Sequence, residues 1–163
     1  MNYEIVELAQ FSGNKTTVYS VILEGDNKTL FDHFVLENAT NHKNEVKFIV
    51  NRIKEIGKTT GARLGYFKPD EGKLGDGVCA LYDDPDNNLR LYCIRYSSVA
   101  IILGGGGIKD VRAWQENEKL SLEATRMIQV SSDIMQRLKE GDLKWSPDGC
   151  RLEGNLTISD DEE

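Results

Sequence analysis

Cysteine, proline and histidine are scarce in this chain of 163 residues, which has three cysteines, three prolines and two histidines. An odd number of cysteines without CxxC or Cys/His spacing predicts neither a disulfide framework nor a zinc site. The sequence also lacks an HExxH motif, a nucleophile elbow and a Ser-His-Asp pattern. We therefore expect no metal, no cofactor and no classical hydrolase chemistry.

Long apolar segments are missing as well. The longest run, Val99 to Leu103, is too short to cross a bilayer, and the N-terminal sequence MNYEIVELAQ has neither the basic nor the apolar region of a signal peptide. We expect a cytoplasmic protein with no membrane partner. The net charge of −7 argues against simple electrostatic binding of nucleic acid. Residues 159–163 form an acidic tail, expected to be a solvated end or to compete with phosphates for a cationic patch.

Hydrophobic spacing predicts one α+β domain over residues 1–158. Apolar residues at three- and four-residue steps indicate helices, whereas alternation and β-branched residues indicate strands. The predicted helices are Lys28–Asn38, Lys43–Ile56 and Asn117–Glu140. Outside residues 77–109, the predicted strands are Tyr3–Ala9, Thr16–Leu23, Ala62–Phe67 and the edge strand Cys150–Ile158, with a turn over Leu143–Gly149.

The stretch from residue 77 to residue 109 predicts an antiparallel meander. Its three strands are Gly77–Asp83, Leu89–Tyr96 and Val99–Leu103, joined by a turn centred on Asp86 and a two-residue turn, Ser97-Ser98. This register gives one apolar face and one mixed face. The apolar face would hold Cys79, Leu81, Leu89, Leu91, Cys93 and Ile102. The mixed face would hold Tyr82, Arg90, Tyr92, Ile94, Ile101 and Leu103.

Four glycines, residues 104–107, follow the last predicted strand and precede Lys109. The segment does not fit a Walker motif, because Ile108 separates the last glycine from the lysine and no Ser or Thr follows. It is expected to be a flexible strand end that another backbone or a ligand can approach closely. Cys79 and Cys93 would lie opposite each other, and we expect them to be buried free thiols.

The run LRLYCIR, a short turn, VAIIL, a glycine-rich break, a lysine and a downstream helix together resemble the C-terminal half of RelE/ParE-superfamily toxins, particularly the phage-derived, HigB-like branch. Two helices precede the strands, as in that family. The resemblance implies a RelE-like antiparallel sheet packed against two N-terminal helices, with a long C-terminal helix and added N- and C-terminal strands. It also implies a metal-independent, ribosome-associated mRNA endoribonuclease that is held in check by an antitoxin protein.

By this resemblance, Arg90 and Lys109 contact phosphate and stabilise the charge of the transition state. Tyr92 shares the face of Arg90 and would stack on a base or transfer a proton. We expect Arg90 and Lys109 to be solvent accessible. Three further basic residues are candidate substrate contacts: Arg95, Lys68 and Arg63.

Two other functions remain open at this stage. The same fold could be a non-catalytic interaction module that binds a protein through an exposed patch of Ile94, Ile101 and Leu103 together with the long helix, or a ParE-like topoisomerase inhibitor. The 117–140 helix could also mediate a homodimer. A single amphipathic helix docked on its own domain is the favoured interpretation of its spacing.

Overall fold

The computed structural model describes residues 1–83, 87–109 and 117–160. The predicted α+β class is confirmed, because a seven-stranded sheet carries helices on both faces and a separate two-stranded hairpin. The helices are α1 (Leu30–Asn38), α2 (Lys43–Glu55) and α3 (Glu118–Glu140). The strands are β1 (Tyr3–Glu7), β2 (Thr17–Leu23), β3 (Phe67–Lys68), β4 (Val78–Leu81), β5 (Leu89–Tyr96), β6 (Ala100–Ile108), β7 (Leu143–Trp145), β8 (Leu152–Gly154) and β9 (Thr157–Ile158).

The large sheet has the order β3-β4-β5-β6-β2-β1-β9. The predicted meander is present as β4-β5-β6, and β1 and β2 form the predicted antiparallel hairpin. The expectation of a wholly antiparallel sheet is wrong at one junction, since β2 pairs with β6 in parallel. A parallel neighbour needs a long crossover, and the segment that contains α1 and α2 supplies part of it.

Two apolar layers hold the helices on the sheet. On one side, α1 and α2 bury Phe34, Ile49 and Ile53 in a cluster that also contains Leu91 and Leu103. On the other side, α3 contributes residues such as Met127 and Ile134 to a second cluster, which includes Leu143 and Leu152 of the β7–β8 hairpin. The long helix therefore docks on its own domain, as favoured from its spacing.

Local capping explains why the helix bounds were predictable. Asp32 N donates to Thr29 Oγ1 at 2.9 Å and Thr29 N donates to Asp32 Oδ2 at 3.0 Å, which forms a capping box before α1. Asn117 caps α3 through a hydrogen bond from Leu120 N, and Gly141 ends that helix with φ 85°. All three predicted helices agree with the structure within two residues.

The register of the meander corrects part of the predicted faces. Tyr96 pairs with Ala100, so the β5–β6 loop has three residues, Ser97 to Val99, and Ser97 adopts φ 56°. One extra loop residue exchanges the two faces of the following strand. Ile101 and Leu103 therefore join the apolar α1–α2 side, whereas Ile102 faces α3. The turn centred on Asp86 had predicted that Cys79 lies opposite Cys93, and this pairing is confirmed with both thiols free.

The glycine run belongs to the interior of β6, so the predicted strand end at Leu103 is wrong. Cys93 pairs with Leu103 but Leu91 pairs with Gly106, which leaves Tyr92 opposite both Gly104 and Gly105 in a β-bulge. A Cβ on Gly104 would lie 2.5 Å from Met127 Sδ. The close approach that the glycines permit is thus made by the chain's own helix α3.

Three shorter segments also differ from prediction. The segment expected as a strand over Ala62–Phe67 is largely a 3₁₀ turn at Leu64–Tyr66, followed by the two-residue β3. The expected turn over Leu143–Gly149 begins with strand β7, which pairs with β8. The single C-terminal strand is divided into β8 and β9 after Gly154, whose φ of 118° suits glycine alone.

Candidate functional site

The two principal candidate residues lie at the same end of two adjacent strands. Arg90 on β5 pairs with Gly107 on β6, and Lys109 follows β6, where its backbone N–H donates to Asn88 O at 2.6 Å. The first turn of α3 covers this end of the sheet. A Cβ on Gly107 would lie 3.1 Å from Lys119 Cγ. The register therefore brings Arg90, Lys109 and the start of α3 together.

Arg90 is buried, with 8% of its surface exposed, so the expectation that it is solvent accessible is wrong. Its Nη1 lies 3.4 Å from Oε1 of Glu71, which is carried on the 69–77 loop between β3 and β4 and is itself buried. Lys68 Nζ lies 3.7 Å from the same oxygen. That oxygen accepts no hydrogen bond from the described residues. Arg90 and Glu71 therefore form a buried ion pair in which Glu71 Oε1 accepts no hydrogen bond from the described residues.

Tyr92 lies beside Arg90 in the layer under α3. The side chain is fully buried, and its hydroxyl has no hydrogen-bond partner among the residues that the structure describes. Burial raises the pKa of Tyr92 to about 12, although the positive charge of Arg90 acts in the opposite direction. The phenol is therefore protonated at neutral pH, so it can donate a proton but cannot accept one as a base.

Glu123 of α3 completes this buried polar cluster, which we define as Glu71, Arg90, Tyr92 and Glu123. Its carboxylate lies over Gly105, where a Cβ would be only 2.0 Å from Oε2. Arg126 Nη1 donates to Oε1 at 2.7 Å, and Lys119 Nζ donates to Oε2 at 3.2 Å. Sequence reasoning missed both glutamates, because acidic residues in a loop and on a helix normally have a solvated carboxylate.

Two buried polar atoms of the cluster lack a hydrogen-bond partner within the part of the chain that the structure describes. Glu71 Oε1 and the Tyr92 hydroxyl are both without a hydrogen bond among the described residues. Unpaired buried polar groups are costly and mark places where water, an ion or a ligand supplies the missing bonds. Arg90 and Lys68 carry the positive charge that would hold an anion if the Glu71 carboxylate were withdrawn.

Lys109 is half-buried and follows β6 at the end of the sheet where Arg90 lies. Within the described ranges, its side chain makes no hydrogen bond or ion pair. Lys68 is exposed, and its contact with the cluster within the described residues is the one to Glu71. The structure thus brings together Arg90, Tyr92 and Lys68, with Lys109 nearby.

The remaining two candidates lie at the opposite end of β5. Arg95 is half-buried, and its Nε donates to Ala62 O at 2.7 Å, next in the chain to the exposed Arg63. Arg95 also lines a cleft of about 490 Å³ together with residues of the 69–77 loop, and Arg90 is not part of that lining. These two arginines therefore do not join the buried polar cluster.

The aliphatic patch expected for an interaction module is absent. Ile94, Ile101 and Leu103 are all fully buried. Ile94 lies in the cluster under α3, and the other two lie in the cluster under α1 and α2. The prediction that they form an exposed surface is wrong, because the chain's own helices cover both faces of the strands.

A second acidic group links α2 to the β4–β5 hairpin. Asp83 Oδ2 accepts a hydrogen bond from Leu89 N at 2.8 Å, and Glu45 accepts hydrogen bonds from Asn88 N and Nδ2 at 3.1 and 2.9 Å. Burial and the neighbouring Glu45 raise the pKa of Asp83 to about 7. Burial opposes ionisation of Glu45, but hydrogen bonds from Asp83, Asn88 and His42 outweigh it and lower its pKa to about 2. Asp83 is therefore the member of the pair that carries the proton.

None of the described helices is both long enough and apolar enough to cross a bilayer. Within the same residues, no group of three or more His, Cys, Asp or Glu side chains is arranged to hold a metal ion. Comparison of the chain with protein-family models, with curated proteins and with solved structures gave no match in any of the three.

Proposed function

We propose that this chain is the toxin component of a toxin–antitoxin system, a RelE/HigB-like endoribonuclease that cleaves mRNA at the ribosome without a metal ion. The observation that carries the proposal is that a buried guanidinium and a buried, protonated phenol, Arg90 and Tyr92, lie on one face of β5, at the end of the sheet where the half-buried Lys109 follows β6. The chain order supports it, since two helices precede the meander that holds these residues.

The reaction is an internal transfer at phosphorus. The ribose 2′-OH gives up its proton to solvent water as it attacks the adjacent phosphate, the bond from phosphorus to the 5′ oxygen breaks, and a 2′,3′-cyclic phosphate and a 5′-OH are formed. Negative charge accumulates on the non-bridging oxygens, where Arg90 and Lys109 would donate hydrogen bonds and positive charge. Tyr92, which is protonated at neutral pH, is suited to donate a proton to the leaving 5′ oxygen.

The buried position of Arg90 requires that the site opens before it binds RNA. Glu71 occupies the side of the guanidinium that a phosphate would need, and it belongs to a loop in which Gly75 and Gly77 have φ values of 80° and 76°. In the proposed cycle, the substrate phosphate replaces the Glu71 carboxylate on Arg90. The closed arrangement then corresponds to the inactive protein.

The proposal is tested by measuring growth and total mRNA after tightly controlled expression of the chain and its variants. Lys109→Ala is the principal variant, because its half-buried side chain makes no described ion pair and its loss leaves no buried charge unpaired. Lys144→Ala is the matched control, since Lys144 is an exposed lysine on β7 of the hairpin beneath α3. Growth arrest with loss of mRNA should disappear in Lys109→Ala and persist in Lys144→Ala. Equal arrest in both variants, with equal amounts of soluble protein, would refute the assignment of Lys109.

Arg90→Gln tests the buried member of the site. This variant leaves Glu71 without its closest cation, so its fold must be checked by thermal unfolding before activity is compared. We expect folded Arg90→Gln to lose mRNA cleavage. The antitoxin partner and a homodimer through the 117–140 helix stay predictions, and co-purification with the product of an adjacent gene is the direct test of the former.

A further inference from the structure

The cleft beside Arg95 is separate from the buried polar cluster and has the features of a small-molecule site. It measures about 490 Å³ and lies between the 69–77 loop and the edge of the sheet at β3 and β4. Pockets for small ligands range from about 300 to 1,000 Å³, with mostly apolar walls and a few directed polar groups. Here Leu64, Phe67 and Val78 supply apolar wall. Leu64 is 72% exposed, so a ligand would cover an otherwise solvated apolar side chain.

Arg95 is held in a fixed position at this cleft. Its backbone N–H donates to Gly77 O at 3.0 Å, and its side-chain Nε donates to Ala62 O at 2.7 Å. The two terminal nitrogens of the guanidinium make no hydrogen bond with the described residues. A guanidinium presents its donors in a rigid planar fork, so fixing Nε also fixes the direction of the remaining donors.

Two aspartates of the loop have different roles. Asp76 shapes the loop, since its carboxylate accepts hydrogen bonds from Lys73 N at 2.7 Å and Val78 N at 2.9 Å. Asp70 is exposed, has φ 63° and lines the cleft, and its carboxylate has no hydrogen bond or ion pair with the described residues. The cleft therefore offers unused donors on Arg95 and on Lys73, whose ammonium makes no hydrogen bond or ion pair with the described residues, and an unused acceptor on Asp70.

We propose that this cleft binds a guanine base of the RNA substrate, an inference that rests on the proposed function. A fork of guanidinium donors matches the O6 and N7 acceptors of guanine. The N1–H and N2–H groups of the same base are donors suited to a carboxylate such as that of Asp70. Adenine places an amino donor where guanine has O6, so it cannot accept both hydrogen bonds from Arg95. The apolar walls suit the flat faces of the ring.

The loop gives this assignment a geometric link to the phosphate site. Asp70 lines the cleft, whereas the next residue, Glu71, contacts Arg90 in the buried polar cluster. A base bound to Asp70 would therefore act on the same short segment that has to release Arg90. Recognition of guanine and opening of the phosphate site become parts of one movement of the 69–77 loop.

The proposal is tested by measuring how the purified full chain binds the four 5′-nucleoside monophosphates. Inorganic phosphate is a separate probe, used at matched ionic strength. Backbone amide NMR shifts and calorimetry report the site and the affinity. We expect 5′-GMP to shift the amides of Gly77, Val78 and Arg95 and to bind at least about ten-fold more tightly than 5′-AMP. Inorganic phosphate alone should leave these three amides unchanged.

Variants identify the contacts. Arg95→Gln and Asp70→Asn should each weaken 5′-GMP binding by about ten-fold or more, whereas Lys144→Gln, at an exposed lysine outside the cleft lining, should leave it unchanged. Asp70 is exposed, so its variant remains informative even if Arg95→Gln is unstable. Equal affinity for all four nucleotides, or no shift at Gly77 and Val78, would overturn the proposal.

The outcomes also separate this proposal from the proposed function. Guanine-selective binding in a chain that leaves cellular mRNA intact would retain the cleft as a base-binding site and refute the ribonuclease. Cleavage of mRNA that depends on Lys109 but shows no guanine preference near the cut would retain the ribonuclease and refute the cleft assignment.

Discussion

The Glu71→Gln variant tests whether the Glu71 carboxylate occupies the position of a substrate phosphate. Glutamine has nearly the shape of glutamate but no charge, so the buried Arg90 loses its nearest counter-ion, at 3.4 Å. Removal of one partner from a buried ion pair typically costs about 3–5 kcal/mol. The contact here lacks an aligned hydrogen bond, so we expect a loss at or below the lower end of this range, about 2–3 kcal/mol.

A loss of this size is measurable by heat or urea. For a chain of 150 to 250 residues, 1 kcal/mol corresponds to about 2–4 °C in Tm, so Glu71→Gln should unfold roughly 4–12 °C below the wild type. Inorganic phosphate should then restore stability, because the vacated position beside Arg90 accepts an anion in the folded state alone. A ligand at one hundred times its Kd adds about 2.7 kcal/mol.

The comparison with the wild type removes the general effect of the salt. Phosphate is excluded from protein surfaces and stabilises both proteins through that mechanism, so only the additional gain of Glu71→Gln counts, with potassium chloride used to match ionic strength. The double variant Glu71→Gln/Arg90→Gln should lose this additional gain. An equal phosphate effect in wild type and Glu71→Gln would refute the idea that the carboxylate stands in for a phosphate. An unchanged Tm would refute the buried ion pair itself.

Two further predictions concern the fold around the site. Gly106→Ala should lower the free energy of unfolding by about 3 kcal/mol, because the new Cβ would lie 1.8 Å from the carbonyl oxygen of Arg90. Gly107→Ala should change it by less than about 1 kcal/mol, because the new Cβ would meet the flexible Lys119 side chain at 3.1 Å and Leu120 Cδ2 at 3.5 Å, an ordinary contact distance. Equal effects in urea titrations would contradict the bulge. Burial and Glu45 raise the pKa of Asp83 to about 7, above its ordinary 3.8, so the stability it contributes is complete below pH 3.8 and is lost as pH rises to 7. Asp83→Asn should therefore gain stability relative to the wild type between pH 5 and pH 8, and parallel curves would contradict the assignment of the proton.

The sequence was sufficient for elements whose local signals and tertiary packing agree. The apolar stripe of α3, its cap at Asn117 and its stop at Gly141 each indicate the same helix, and the structure has it. Strand β5 was predicted with its correct bounds, because β-branched, aromatic and apolar residues fill it from Leu89 to Tyr96. Agreement between several weak signals made these predictions reliable.

The faces of β6 could not be predicted, because one residue of loop length decides them. Ser97 adopts a positive φ that serine rarely takes, and no glycine or asparagine marks the position. The prediction that the strand ends before the glycine run was wrong for a related reason. Glycine is intrinsically weak in strands, and only the contact with α3 makes Gly104 and Gly105 favourable within β6.

Part of the candidate site could be predicted from the sequence. The side-chain alternation correctly gave Arg90 and Tyr92 a common face, but it contained no information on what covers that face. Burial of Glu71 and Glu123 arises from a loop and a helix that meet only in the folded chain. Charge in the sequence predicts solvation, and the exceptions appear only when the tertiary structure supplies a counter-ion.

The parallel pairing of β2 with β6 determines when the central sheet can assemble during synthesis of the chain. The hydroxyl of Ser20 on β2 donates to the carbonyl of Leu103 on β6, which comes 83 residues later in the sequence. At about 5–20 residues per second, the ribosome needs roughly 4–17 s to deliver that partner. During this interval the N-terminal hairpin has an unpaired edge and no central sheet to join. Arg90 and Lys109 therefore reach their final positions only after β6 has been made and has paired with β2, which delays any activity of the site until then.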